Sequence, residues 1–223
     1  SNAEEEEEAL GLTLRYRPED YFPLIVHVDS NHVLQCMNNS GLHQEPFKIV
    51  PDVYMVGIIS LADGTKHTII AKNMADIYHA EDDFIRQFYF LSQKINILPN
   101  TVVKSFINFS PCTFCSRKLS DLILNLNLSF TLVCASLYKI NRQSCITNGC
   151  SHDLVSEDDH DRYANALQTF QRKGGILLPL NKEEFQDLKA VLPGNTECMY
   201  PIAREQDDGL YHFDFEYMLN PRF

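Results

Sequence analysis

The chain has 223 residues, 44% hydrophobic and 22% charged, with 30 acidic against 19 basic residues and a formal charge of −11. That composition suits one soluble globular domain with a sizeable core, and no apolar run approaches the roughly 18 residues of a membrane helix. The acidic balance opposes a polyanionic partner, whose affinity draws on Lys and Arg.

Ser1-Asn2-Ala3 reads as a cloning scar and Glu4 to Glu8 as a solvated acidic start, leaving a single domain over 9–223. No secretory signal opens the chain. Seven cysteines, an odd number without a regular framework, argue for a reducing compartment.

In chain order, Tyr21 to Val28 reads as a short strand or packed extended segment, and Asn38-Asn39-Ser40-Gly41 as a turn. The rest of 9–47 carries no clear pattern. Val53 to Leu61 and Lys66 to Lys72 form a hairpin about the Asp63-Gly64 turn. His79 opens a helix with apolar positions Phe84, Ile85, Phe88 and Leu91 at helical spacing. Thr101 to Phe109 is a third strand. Pro111 suits the first turn of the next helix, which continues through Leu119, Leu122, Ile123 and Leu126. Leu128 to Leu137 is a fourth strand, buried on both faces.

Residues 139–158 break the rhythm. Helical spacing resumes from His160 through Tyr163, Leu167 and Phe170 and stops at Gly174-Gly175. Ile176 to Leu180 is a short strand, and Asn181 caps a last helix that faces Phe185, Leu188 and Val191-Leu192 inward. The tail from Asn195 has no clear period. The order is ββα-βα-βα-βα. It predicts an α/β fold: a mixed, mostly parallel sheet of about five strands with an opening β-hairpin and helices on both faces.

The chemistry concentrates in His79-Ala80-Glu81 and Pro111-Cys112-Thr113-Phe114-Cys115. Cys112 and Cys115, three apart at a helix start, share one face, where the helix dipole favours thiolates. With His79 they make three ligands for one zinc ion, leaving its fourth position to water as in catalytic sites. Zinc lowers the pKa of that water toward neutral. Glu81 is then placed to take its proton, giving a zinc-bound hydroxide, and to return that proton later in a reaction. A lone Cys-x-x-Cys is often structural zinc or two plain thiols, and a lone His-Ala-Glu means nothing; the combination carries the reading.

His-x-Glu with Pro-Cys-x-x-Cys matches the signature of zinc nucleobase deaminases. The chain resembles the AID/APOBEC family of polynucleotide cytidine deaminases over about 53–192. The resemblance rests on His79-Ala80-Glu81, a gap of 29 residues from Asp82 to Ser110, and Ser110-Pro111-Cys112-Thr113-Phe114-Cys115. Ser136-Leu137-Tyr138 and the run from Ala164 to Leu192 add to it. It implies a cytidine deaminase-like fold, a bound Zn²⁺, and hydrolytic deamination of cytosine in single-stranded DNA or RNA, in the cytoplasm or nucleus. It assigns substrate contacts to Phe109, Ser110, Tyr138 and Asn73. The family usually carries Trp where Phe109 stands, and this chain has no Trp. The alternative is a catalytically weak or inactive relative that serves as a binding or regulatory module, with protein partners or as a homo-oligomer. Deamination of free nucleosides is a third reading.

In the long 139–158 segment, Cys145, Cys150 and His152, with His160 beyond, could hold a second metal. Lys66, Lys72, Arg142, Arg172 and Lys173 are the candidate phosphate contacts.

Overall fold

β-branched and aromatic residues build the two central strands, Tyr54–Ser60 (β1) and Val102–Phe109 (β3), which pair antiparallel with Met55 opposite Ile107. The structure is a computed structural model and describes residues 28–42, 52–149 and 154–221. The acidic start and most of the Tyr21 to Val28 segment lie outside the described residues.

Lys66–Lys72 (β2) forms the expected hairpin with β1, Tyr54 opposite Lys72. Asp63 closes the turn by accepting from the Thr65 N–H and hydroxyl at 2.9 and 2.6 Å. Ser129–Ser136 (β4) and Gly175–Pro179 (β5) complete a sheet of order β2-β1-β3-β4-β5. Parallel pairing is confined to β3–β4 and β4–β5; both pairs that involve β1 are antiparallel. Since β1 opposes both neighbours, β2, β3, β4 and β5 all run the same way. Their carboxyl ends, at Lys72, Phe109, Ser136 and Pro179, share one edge of the sheet.

Seven helices lie among the described residues: Ser30–Asn39 (α1), Ala80–Ser92 (α2), Thr113–Leu126 (α3), Gln143–Asn148 (α4), Glu157–Arg172 (α5), Lys182–Val191 (α6) and Ile202–Leu219 (α7). They cover both faces. On one, Phe84 and Phe88 of α2, Leu119 and Leu122 of α3, and Leu167 and Phe170 of α5 pack on Met55, Ile59, Phe130 and Leu132. On the other, Val33, Leu34 and Met37 of α1 and Phe185 and Leu188 of α6 pack on Val56, Phe106 and Val133. Alternate residues of each strand thus serve opposite cores, which accounts for their continuous apolar composition. Gly57 is required under α2: a Cβ there would stand 2.3 Å from the Phe84 ring.

Three of these helices have no counterpart in the sequence reading. α1 fills part of 9–47, α4 lies inside 139–158, and α7 lies in the tail. α7 hides from a hydrophobic pattern because its buried face carries Arg204, Tyr211 and Asp214 beside Phe215 and Met218. Arg204, fully buried, donates to the Ser40 carbonyl at 2.5 Å and the Ala135 carbonyl at 2.9 Å, and its guanidinium lies 4.5 Å from the Tyr211 ring centre. Gly41 takes the left-handed conformation at φ 73° and sits so close to Ser136 that a Cβ would clash with it. The tail before α7 bonds to α1 as well, the Asn38 carboxamide donating to the Met199 carbonyl at 3.0 Å.

The described residues of 139–158 are braced rather than open. Asn141 accepts from the Val155 N–H and donates to its carbonyl, at 2.9 and 3.0 Å, closing the base. α4 docks on α7 through Asp214, which accepts from the Ser144 N–H and hydroxyl at 2.7 and 2.5 Å. No helix among the described residues is long and apolar enough to cross a membrane.

Candidate metal centre

Both motif segments leave the shared carboxyl edge as helix starts. His79 is the N-cap of α2 and Cys112 the N-cap of α3, each with extended backbone, at ψ 161° and 174°. Pro111 stands just before the cap rather than inside the first turn. An N-cap is not yet helical, so its side chain can turn where a regular helix would not send it. His79 and Glu81, two apart, therefore escape the divergence that spacing imposes in mid-helix.

The structure brings His79, Cys112 and Cys115 together, their ligand atoms all within 4.8 Å of one another. The His79 Nδ1 lies 3.3 Å from Cys115 Sγ and 3.6 Å from Cys112 Sγ. A tetrahedral ion with metal–sulfur bonds near 2.3 Å and metal–nitrogen bonds near 2.0 Å sets N and S about 3.5 Å apart. Both N–S separations thus suit a metal ion of that size. The hydrogen bond from Cys115 and the nearby His79 hold the Cys112 thiol down to about 4, and that same bond together with burial pushes Cys115 well up. A cation at the centre lowers both.

Glu81 is 4% exposed beside this cluster. Burial pushes its carboxyl up to about 7, with the Cys112 charge adding to the rise and His79 opposing it.

Two carboxylates fix the start of α2. Asp82 accepts from the His79 N–H at 3.0 Å and from Lys118 Nζ of α3 at 2.7 Å. Buried Asp83 accepts from the Lys72 N–H at 3.1 Å, from Arg86 at 3.2 Å and from Gln87 at 3.1 Å, tying the helix to the end of β2. The Asp82–Lys118 brace is absent from the sequence reading. Only its capping half was legible, since an acid three residues after an N-cap has the spacing of a capping box; the Lys118 partner is 36 residues away.

Phe109 and Tyr138 stand together at the ends of β3 and β4, their rings edge to face at 6.2 Å between centres. Tyr138 in turn meets Tyr163 of α5 at 5.8 Å. Tyr138 is 37% exposed and Tyr163 is buried. Ser110 is buried, its Oγ accepting from the Tyr138 N–H at 2.8 Å and its N–H donating to the Ser136 carbonyl at 2.9 Å. It positions Tyr138 by its backbone. Lys139, left-handed at φ 53°, carries Nζ over both tyrosine rings at 5.6 and 5.4 Å. Asn73 stands at the end of β2 and its side-chain oxygen accepts from the Val53 N–H at 2.9 Å.

Of the second metal set, Cys150 and His152 lie outside the described residues. Cys145 is buried in α4, and the His160 Nδ1 accepts from the Asn141 N–H at 3.0 Å. Among the described residues the three-ligand cluster is that of His79, Cys112 and Cys115 alone. Of the candidate phosphate contacts, Lys72 pairs with Asp52 at 3.3 Å, Arg142 donates to the Gly41 carbonyl at 2.6 Å, and Arg172 donates to Thr169 at 2.8 Å.

Comparison with models of known protein families finds no match to this chain, and no curated protein matches it.

Proposed function

We propose that the protein is a zinc-dependent hydrolytic deaminase of cytosine in single-stranded DNA or RNA, a divergent member of the AID/APOBEC family with a cytidine deaminase-like fold. The observation that carries this reading is Glu81, a buried carboxyl beside a three-ligand His/Cys/Cys cluster. Purely structural zinc takes four protein ligands and has no use for a buried acid at its side.

His79, Cys112 and Cys115 would hold the zinc, whose chemistry is to acidify a water toward neutral pH. Glu81, buried beside that cluster, is placed to take a proton from such a water and to pass it on. Phe109 and Tyr138 offer ring faces and edges to a planar base at the same strand edge. Ser110 holds Tyr138 in register. The free thiols of Cys112 and Cys115 fit the reducing cytoplasm or nucleus.

The test is incubation of the zinc-loaded protein with cytosine-containing DNA and RNA oligonucleotides, read by mass spectrometry as conversion to uracil. Conversion by the wild type and its loss in Glu81→Gln at unchanged zinc content support the reading. A zinc-loaded protein that leaves oligonucleotides of varied sequence unchanged overturns it. That outcome favours the silent binding module, to which the acidic balance and the missing Trp point.

A further inference from the structure

α3 and α5 pack side by side, but the faces they turn to each other are unusually small and polar. Thr113, Ser116 and Ser120 of α3 face Asn165, Ala166 and Thr169 of α5 across a groove of about 300 Å³. Ridges that short cannot fill the space between two helices, so a channel remains. Its cations are Arg117, Arg162 and Lys173, and no carboxylate lines it. In a chain of net charge −11 that segregation is unexpected for solvated charges. Arg162 is steadied by Asp159 at 2.7 Å, and Arg117 lies 5.6 Å from the Phe114 ring centre. Among the described residues no carboxylate pairs with Arg117 or Lys173.

The groove begins beside the metal cluster, since Thr113 directly follows Cys112. From there it runs away from the carboxyl edge, because α3 and α5 both start at that edge and end at the opposite one. Arg162 and Lys173 are eleven residues apart on and just past α5, roughly 16 Å along the axis. Arg, Lys, Ser, Thr and Asn side chains together are the set that contacts nucleic-acid phosphates and sugars.

We propose that the α3–α5 groove binds the phosphodiester backbone of a single-stranded nucleic acid, with Arg117, Arg162 and Lys173 as its phosphate contacts. The proposal rests on the deaminase reading for where the bases go, and gives that reading a path for the polynucleotide. Arg117 and Lys173 are exposed, so reversing them spares the core.

The experiment titrates zinc-loaded wild type and the Arg117→Glu/Lys173→Glu double variant into a fluorescent 12-nucleotide single strand without cytosine, by anisotropy across a range of salt. Wild-type binding that weakens about tenfold or more at 0.1 M salt in the variant, with the slope of log affinity against log salt falling by about 1.4, supports the groove. Equal affinity of both proteins, or no wild-type binding, overturns it. A nucleoside monophosphate that binds as tightly as the 12-mer, or a labelled polyglutamate peptide that displaces it, also overturns it, in favour of a single phosphate or an acidic protein partner. Because the probe lacks cytosine, groove binding survives a failure of the deaminase reading. Conversion that persists while affinity ignores the charge reversal removes the groove and keeps the deaminase.

Discussion

Lys118 and Asp82 join the two helices that carry the candidate metal ligands, Nζ to Oδ1 at 2.7 Å, while the other oxygen of Asp82 holds the His79 N–H. One carboxylate thus fixes the distance between the His79 and Cys112/Cys115 halves of the cluster. Outer partners of this kind set metal affinity by orienting ligands they do not replace, and their loss costs about 10- to 100-fold. Asp82→Asn and Lys118→Met are expected to release zinc to a competing chelator at least tenfold more readily. Unchanged zinc affinity in both variants would show that the ligand geometry stands without the brace.

Removing the metal should loosen the contact between α2 and α3. A ligand that binds only the folded state stabilises it in proportion to its affinity and concentration. Chelated protein is expected to melt at a lower temperature than the zinc-loaded form. Cys115→Ser should lower the melting temperature further and abolish the response to added zinc. A melting temperature insensitive to zinc would argue that the cluster does not hold the ion.

Asp52 gives a pH signature away from the metal. It lies 2.7 Å from His32 Nε2 and 3.3 Å from Lys72 Nζ, and the His32 hydrogen bond, then the Lys72 charge, hold its carboxyl below the usual value of 3.8. A lowered folded pKa contributes stability above the unfolded value, and that contribution disappears as pH falls through the folded one. Asp52→Asn should therefore destabilise at pH 7 by under about 1 kcal/mol, since both partners are partly exposed. The gap between variant and wild type should close below pH 3.8, followed by urea denaturation at several pH values. A gap that persists at pH 2 would contradict the ion-pair account.

Arg204 should be among the costliest residues to lose. Truncation to Ala orphans the Ser40 and Ala135 carbonyls and empties the space against Tyr211. Unsatisfied buried groups cost about 1–3 kcal/mol each, so Arg204→Ala should lose about 3 kcal/mol or more in chemical denaturation. Arg204→Lys should recover only part, because an ammonium lacks the planar fork that reaches two carbonyls. A loss under about 1 kcal/mol would show that α7 is held by its apolar contacts alone.

The legible parts of this fold are those where burial follows a simple period. β2 falls on Lys66–Lys72 as the hairpin pattern requires, and Phe84 and Phe88 mark α2 without ambiguity. That His79, Cys112 and Cys115 come together was legible because motif spacing survives any uncertainty about helix ends. α4 and α7 were not, because Ser144, Asp214 and Arg204 are buried polar residues that pair with partners remote in sequence. Hydropathy scores such residues as surface, and only their hydrogen bonds reveal them as interior. The Asn141–Val155 clasp was hidden for the same reason, so 139–158 read as a loop. Tyr163 showed as a core position, but its contact with Tyr138 depends on where α5 docks on the sheet.

Arg204 bonds to a carbonyl 164 residues earlier, and Ser30 of α1 donates to the Pro193 carbonyl at 2.6 Å. At ribosomal rates of about 5–20 residues per second, α1 emerges some 8–30 seconds before the segments that bury it. Throughout that interval Val33, Leu34 and Met37 have neither α6 nor the tail to cover them. The nascent chain therefore holds this apolar helix against the early strands alone for that interval, and the second core closes only when residues more than 140 positions downstream arrive.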